Sequence, residues 1–437
     1  MLATIGFRTA AFLVLPLMLL PLVGSATTDD IFQATAGKKK VAEVILCSFP
    51  AGVDSLTGSV TRLLQGADGN FYGTSRNGGA YGEGAVFRVT PAGAVTLLYS
   101  FSGGIDGSTD GAWPNGPLIE LFGEFYGTTA YGGTAGAGTV FKMTGTGRVT
   151  LLHSFTGGAN GSSVGTTDGA YPLGSLLRGW DGNLYGVTQQ GGAGSDKIGT
   201  VFRISRSGDE AVLHSFYAET GDDGGGPVAG LMQASDGNFY GTTESGGRNF
   251  AGTIFKMKPS GEETVLYDFE GNPSGTPSVD GSLPEASLIE GADHHLYGTT
   301  GYGGLYGGGI AFKVSLAGKE TVLHSFGKGN DGVGADSPLL LASDGNFYGT
   351  TANGGAYHSP DAYGNGTAYK LTPAGVETVI YSFDYADGES VYGGLIEGKD
   401  HNLYGSSPDG GLGSNGAVFN GNVFKLVNVL PTSSDSR

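Results

Sequence analysis

From about residue 41 to residue 430 the chain is a succession of short stretches in which apolar and polar residues alternate, each broken by Gly, Asp, Asn or Pro. A representative set is "SLLRG" (175–179), "NLYGVT" (183–188), "GTVFRIS" (199–205) and "EAVLHSF" (210–216). Each is rich in β-branched and aromatic residues and bounded by turn formers, which predicts strands. A helical period is absent. In the second piece the Tyr and the preceding Phe or Leu fall on opposite faces of the strand. The Gly after the Tyr lets a neighbouring ring or backbone come close.

These pieces recur. "SDGNFYGTT" stands at 235–243 and again at 343–351, and aligning looser copies on Tyr-Gly picks out Tyr72, Tyr126, Tyr185, Tyr240, Tyr297, Tyr348 and Tyr404, 51 to 59 residues apart. A period held that often means that the fold is an array of units. Within a unit, "DGN" (68–70, 181–183, 236–238, 344–346) supplies a tight turn between strands one and two. "PAG" (91–93, 373–375) or "PSG" (259–261) supplies another between strands three and four. So the repeated phrase reads as turn plus strand.

Four-stranded units make a propeller when arranged around an axis and a solenoid when stacked in a line. The chain ends favour the ring. Fourth strands finish in Ser-Phe or Asp-Phe at Phe101, Phe155, Phe216, Phe269, Phe326 and Phe383, but the last unit stops after its third strand, "NVFKLVNV" (422–429). A matching fourth strand, "EVILCSF" (43–49), lies at the other end of the chain. Its insertion into the last unit would hide that unit's open edge. The expectation is an all-β, seven-bladed β-propeller of four-stranded antiparallel blades, the last closed by the N-terminal strand.

The pattern "DGNFYGTTESGGRNFAGTIFKMKPSGEETVLYDF" (236–269) resembles the GloVer tandem repeat of exported bacterial proteins, and the likeness runs over about 41–430. The resemblance implies a secreted or surface-anchored repeat protein whose anchor varies, and no settled activity. Two departures stand out. No apolar anchor follows the last unit, and the second unit has "LFGEFYG" (121–127) in place of the Asp-Gly-Asn turn.

The 437 residues include 84 Gly and 17 Pro, nearly a quarter of the chain, yet 39 % are hydrophobic and 11 % aromatic. Glycine-rich turns between short strands reconcile the two, whereas a disordered chain lacks the apolar content. The net charge of −18 argues against a basic surface for nucleic acid or anionic lipid. Near the start, Arg8, the apolar run 10–23 and the small residues 24–26 read as a signal peptide cleaved after Ala26. The expected layout is a leader (1–26), a linker (27–40), the propeller (41–430) and a polar tail (431–437). No membrane span remains after the leader is removed, and the protein is expected outside the cytoplasm as a monomer. The single cysteine, Cys47, allows no internal disulfide and reads as a small core residue.

Candidate chemistry lies on the long connections, which join strand four to the next strand one and strand two to strand three on the same face. The strand-two loops are glycine-rich and read as low-bulk crossings. Each inter-blade loop carries an Asp at a similar offset: Asp54, Asp110, Asp168, Asp223, Asp280, Asp331 and Asp387. Ring symmetry predicts an acidic circle at one mouth of the channel, which suits Ca2+. Alternatively, each carboxylate shapes its own turn by accepting backbone N–H bonds. "DGAWPNG" (110–116) and "DGAYPLG" (168–174) place Trp113 and Tyr171 at matching positions, where they either stack on sugar rings or pack on the next blade. His153, His214 and His324 share a position held elsewhere by Tyr99, Tyr267 and Tyr381, which reads as packing.

The His-Glu-x-x-His zinc motif does not occur, and no His/Cys cluster is closely spaced. The expectation is therefore a non-enzymatic binding or interaction scaffold for a glycan or an extracellular protein, with Trp113, Tyr171, Asp110 and Asp168 as ligand-binding residues. A polysaccharide hydrolase or lyase, with acids converging from different blades, is the first alternative. A purely structural surface protein is the second.

Overall fold

In a computed structural model, residues 40–49, 56–104, 109–157, 168–193, 197–217, 223–271, 279–357, 365–384, 388, 390–408 and 421–430 are described. Val41–Arg437 is one compact unit. The predicted leader, linker and tail lie outside the described residues, apart from Lys40 at the end of the linker.

The strands assemble into seven four-stranded antiparallel blades arranged in a ring. The third blade, for example, orders Leu177–Arg178, Leu184–Thr188, Thr200–Ile204 and Glu210–Ser215 from first to fourth. The seventh orders Ile396–Glu397, Leu403–Ser407 and Asn422–Val427, and its fourth place is taken by Ala42–Ser48. That N-terminal strand pairs antiparallel with Asn422–Val427 from Ala42↔Val427 to Ser48↔Asn422. The first blade carries an additional strand, Leu56–Val60, which pairs with Phe71–Gly78. This extra strand was not anticipated.

Alternation along strand two explains how the blades adhere. Tyr72 stacks on Phe125 of the next blade at 4.2 Å, Tyr185 on Phe239 at 4.3 Å and Tyr297 on Phe347 at 4.1 Å. Tyr404 of the seventh blade closes the circle on Phe71 of the first at 4.3 Å. Each blade thus offers its Tyr face to the Phe or Leu face of its neighbour. The buried residues accordingly divide into seven clusters, one at each joint. The Gly after the Tyr is needed at the same place, because a Cβ on Gly73 would lie 2.6 Å from the Phe87 ring.

The repeated phrase holds a shape. In its turn, the Oδ1 of Asp236 accepts the Asn238 N–H at 3.0 Å, and its Oδ2 accepts the Asn238 amide at 2.8 Å and the Tyr240 hydroxyl at 2.8 Å. Lys256 from strand three adds an ion pair at 3.0 Å. Burial opposes ionisation of Asp236, but these donors hold its carboxyl down to about 2.

The turn between strands three and four marks a second inter-blade contact. At Gly93 of the first blade a Cβ would fall within van der Waals contact of the Leu46 carbonyl oxygen, on the N-terminal strand of the seventh blade. Gly375 of the sixth blade meets Leu323 of the fifth in the same way. The ring-closing joint is therefore built like the internal ones. Cys47, on the closing strand, is half-buried, and burial raises its thiol to about 11.

Candidate functional site

The inter-blade Asp residues occupy equivalent places, but the five described ones are bound to the outermost strand rather than gathered around the axis. Asp110 accepts the Tyr99 hydroxyl at 2.8 Å and the Ser102 hydroxyl at 2.9 Å, and Asp168 takes the Thr156 hydroxyl at 2.8 Å beside His153 at 3.3 Å. Asp223 accepts the Gly224 N–H at 2.7 Å and faces His214 at 3.2 Å. Asp280 takes the Gly281 N–H at 2.8 Å and the Tyr267 hydroxyl at 3.1 Å, while Asp331 takes the Gly332 N–H at 2.8 Å and faces His324 at 2.9 Å. Asp54 and Asp387 lie outside the described residues. The placement at a channel mouth is corrected on this point. The carboxylate turns back onto the strand that its loop has just left, where hydroxyl, imidazole and backbone N–H groups meet it.

After each Asp-Gly pair the chain runs beside the strand-two loop of its own blade. Gly224–Gly225 pairs with Ser245–Gly246, Gly281–Ser282 with Tyr302–Gly303, and Gly332–Val333 with Asn353–Gly354, while Ala112 and Ala170 bridge to Tyr131 and Gln190. Two residues after that Gly the backbone is left-handed throughout: φ is 56° at Trp113, 58° at Tyr171, 54° at Leu283, 62° at Gly226 and 73° at Gly334. Glycine adopts this conformation freely, whereas Trp113 and Tyr171 hold it at a cost.

The two aromatics belong to one row. The Arg76 guanidinium lies 4.6 Å over the Trp113 ring, Trp113 meets Tyr131 edge-on at 4.8 Å, and Tyr131 meets Tyr171 at 4.8 Å. Tyr171 is buried and Trp113 half-buried, whereas Tyr131 is exposed. So the row both packs and presents an edge to solvent. Tyr131 escaped the sequence reading because it sits on a strand-two loop.

Those loops are not mere low-bulk crossings. Their tips carry exposed rings at Tyr81 (44 %), Phe250 (70 %), Tyr306 (48 %) and Tyr357 (54 %), from the first, fourth, fifth and sixth blades. A Gly-Gly pair two or three residues earlier was the signal available in the sequence.

Acids do converge near strand one, at other residues than those expected. Glu285 and Asp336 lie just ahead of the inner strands of blades five and six, and the negative charges of Asp336 and of Glu244 from blade four both act on Glu285. Glu285 is open to water yet surrounded by protein. Burial, then the negative charges of Asp336 and Glu244, raises its carboxyl to about 7. Burial raises Asp336 to about 6, and its Oδ1 has no hydrogen-bond partner. Gln189 holds Glu244 at 3.0 Å. Across the ring, the enclosed Arg62 side chain donates through Nε to the Leu395 carbonyl at 3.1 Å, and burial lowers its pKa.

A further set went unnoticed: a Glu at the start of strand four. Burial first, with nearby negative charge second, raises Glu320 to about 7 and Glu263 to about 8. These residues face the Asp and the His or Tyr of the preceding blade.

The repeat can now be placed among known sequences. Residues 24–221, 160–287 and 276–430 match the model of the Gloeobacter/Verrucomicrobia repeat. The chain belongs to that family. Its units are the blades described above, and the matched stretches reach from the N-terminal strand to the end of the seventh blade. No curated protein is significantly similar to this family member. Among solved structures, a virginiamycin B lyase from Staphylococcus aureus is similar over 89 % of this chain and 98 % of its own, with 14 % identity and a TM-score of 0.52. The extracellular domain of a proposed one-component system from B. thetaiotaomicron is similar over 89 % of this chain and 40 % of its own, with 10 % identity and a TM-score of 0.50. Identities this low establish the propeller fold alone. Among the described residues no helix is long and apolar enough to cross a membrane.

Proposed function

We propose that this repeat protein is an exported, non-enzymatic binding propeller that takes a glycan on its long-loop face. The observation carrying this reading is the recurrence of an exposed ring, Tyr81, Phe250, Tyr306 or Tyr357, on the strand-two loops of four blades. Rings left in water at the tips of a rigid scaffold suit stacking on the apolar faces of sugars, while neighbouring carboxylates and amides accept and donate to hydroxyls. The strained Trp113 backbone and the exposed edge of Tyr131 extend the same surface. Export rests on the apolar leader and on the family.

A second reading, polysaccharide hydrolase or lyase, draws on Glu285 and Asp336. A carboxyl raised to about 7 retains its proton near neutrality and suits general-acid work. One experiment separates the two. The leaderless protein is incubated with a panel of neutral and acidic glycans and read for retention and for new reducing ends. Retention without products supports binding. Products that disappear in Glu285→Gln or Asp336→Asn would replace that reading with the enzymatic one, and inertness towards the whole panel would overturn both.

A further inference from the structure

Among the described residues, two joints between blades draw a His, an Asp and a Glu together within reach of one ion, whereas His153, Asp168 and Glu210 at the joint of blades two and three are the same residue types without that close grouping. His214, Asp223 and Glu263 come together between blades three and four, and His324, Asp331 and Glu377 between blades five and six. In each set the His comes from the end of strand four of one blade, the Asp from the loop that follows, and the Glu from the start of strand four of the next. We propose that each set holds one divalent transition-metal cation of the Zn2+ class, clamping neighbouring blades together.

The geometry points there first. One donor atom from each residue lies within 4.8 Å of the other two in both sets. In the first set, His214 Nε2 stands 3.2 Å from Asp223 Oδ2 and 3.9 Å from Glu263 Oε2. In the second, His324 Nε2 stands 2.9 Å from Asp331 Oδ2. Donors about 2.0–2.2 Å from a tetrahedral zinc are separated by roughly 3.3 Å, so small side-chain rotations suffice.

A second observation is independent of this clustering. The Glu263 side chain is only 7 % exposed, and its Oε1 has no hydrogen-bond partner. The Oε1 of Glu377 likewise has none, as do those of Glu210 and Glu320 at the same strand-four position. What distinguishes the two sites is that a His and an Asp are drawn up beside a Glu in this state. A buried carboxylate oxygen without a donor is costly, and a cation removes that cost.

The Asp residues are also prepared for the role. Gly224 N–H fixes Oδ1 of Asp223 and Gly332 N–H fixes Oδ1 of Asp331, so that Oδ2 is the oxygen turned to the His in each. Such outer hydrogen bonds orient metal ligands. An imidazole with two carboxylates favours Zn2+, Co2+ or Mn2+ over Ca2+, which prefers oxygen donors throughout.

The ring contains its own controls. At the joint between blades four and five, Tyr267 stands where the His would be and donates its hydroxyl to Asp280 at 3.1 Å. Between blades one and two, Tyr99 donates to Asp110 at 2.8 Å, and Val149 stands where the Glu would be. A phenol satisfies the Asp without a metal, so His-to-Tyr is a substitution that the repeat already tolerates.

The test uses the untagged full chain without its leader, stripped with EDTA, loaded with Zn2+ or Co2+ and freed of excess by gel filtration. Metal is counted by mass spectrometry, and Co2+ is also read by its visible absorption. Two ions per chain are expected. His214→Tyr and His324→Tyr should each remove one, and the double variant should remove both. Glu263→Gln with Glu377→Gln, checked for folding by circular dichroism, gives the same answer should the Tyr variants misfold. Absence of retained metal, or retention unchanged in the folded double variant, overturns the proposal.

Discussion

Ring closure can be tested at a single atom. Gly93 and Gly69 both have left-handed backbones, with φ of 86° and 82°. An added Cβ at Gly69 meets nothing within 4 Å, whereas at Gly93 it collides with the Leu46 carbonyl oxygen of the closing strand. Gly→Ala at either position incurs the left-handed penalty of about 1–2 kcal/mol. Only Gly93→Ala must also push apart the first and seventh blades, at about 1–3 kcal/mol more if the cost resembles overpacking. Unfolding entropy of about 2 cal/mol/K per residue, summed over about 390 residues, makes 1 kcal/mol worth roughly 1 °C. Gly69→Ala should therefore lower Tm by about 1–3 °C and Gly93→Ala by about 2–6 °C. Gly375→Ala, whose added Cβ would press less closely on the Leu323 carbonyl oxygen at an internal joint, should fall between the two. Calorimetry and urea denaturation of the three variants measure this. Equal shifts for Gly69→Ala and Gly93→Ala would refute the claim that Leu46 is packed against the first blade.

Other outcomes are expected with the same economy of perturbation. Removing residues 41–49 leaves Asn422–Val427 with an open edge, so the truncated chain should melt lower and associate, as size-exclusion chromatography would reveal; an unchanged monomeric melt would contradict closure. Tyr131→Ala should weaken glycan retention by about 2- to 10-fold if a stacked ring contributes about 0.5–1.5 kcal/mol, with folding intact; unchanged retention would remove the aromatic row from the binding surface. Burial, with Asp280 second, raises the folded-state pKa of Glu320 to about 7 from an ordinary 4.5, so the folded protein binds the extra proton between those values. Its contribution therefore lowers stability as pH climbs from about 4.5 to 7, and Glu320→Gln should flatten that part of the profile in pH-dependent denaturation. A profile identical to that of the parent protein would count against a buried Glu320.

Much of the architecture was legible in the chain because it depends on neighbours in sequence. The "DGN" turn, the Tyr-Gly pair and the period-two alternation specify strand and turn locally, and the missing fourth strand of the last unit foretold the closing partner that Ala42–Ser48 provides. The same local rules identified Trp113 and Tyr171 as matching positions. They left Tyr131 unremarked, because its place beside Trp113 depends on the bridge between Ala112 and Tyr131. What tertiary structure alone decided is which side chains from different repeats meet. Ring symmetry suggested that the inter-blade Asp residues encircle the axis, yet their carboxylates bind the outer strand, and Glu244, Glu285 and Asp336 converge instead. Glu263 likewise joins His214 and Asp223 only because the start of one fourth strand passes the end of the previous one. Local sequence sets backbone turns through sterics and short-range hydrogen bonds, whereas contacts between side chains some fifty residues apart depend on the twist and packing of whole blades.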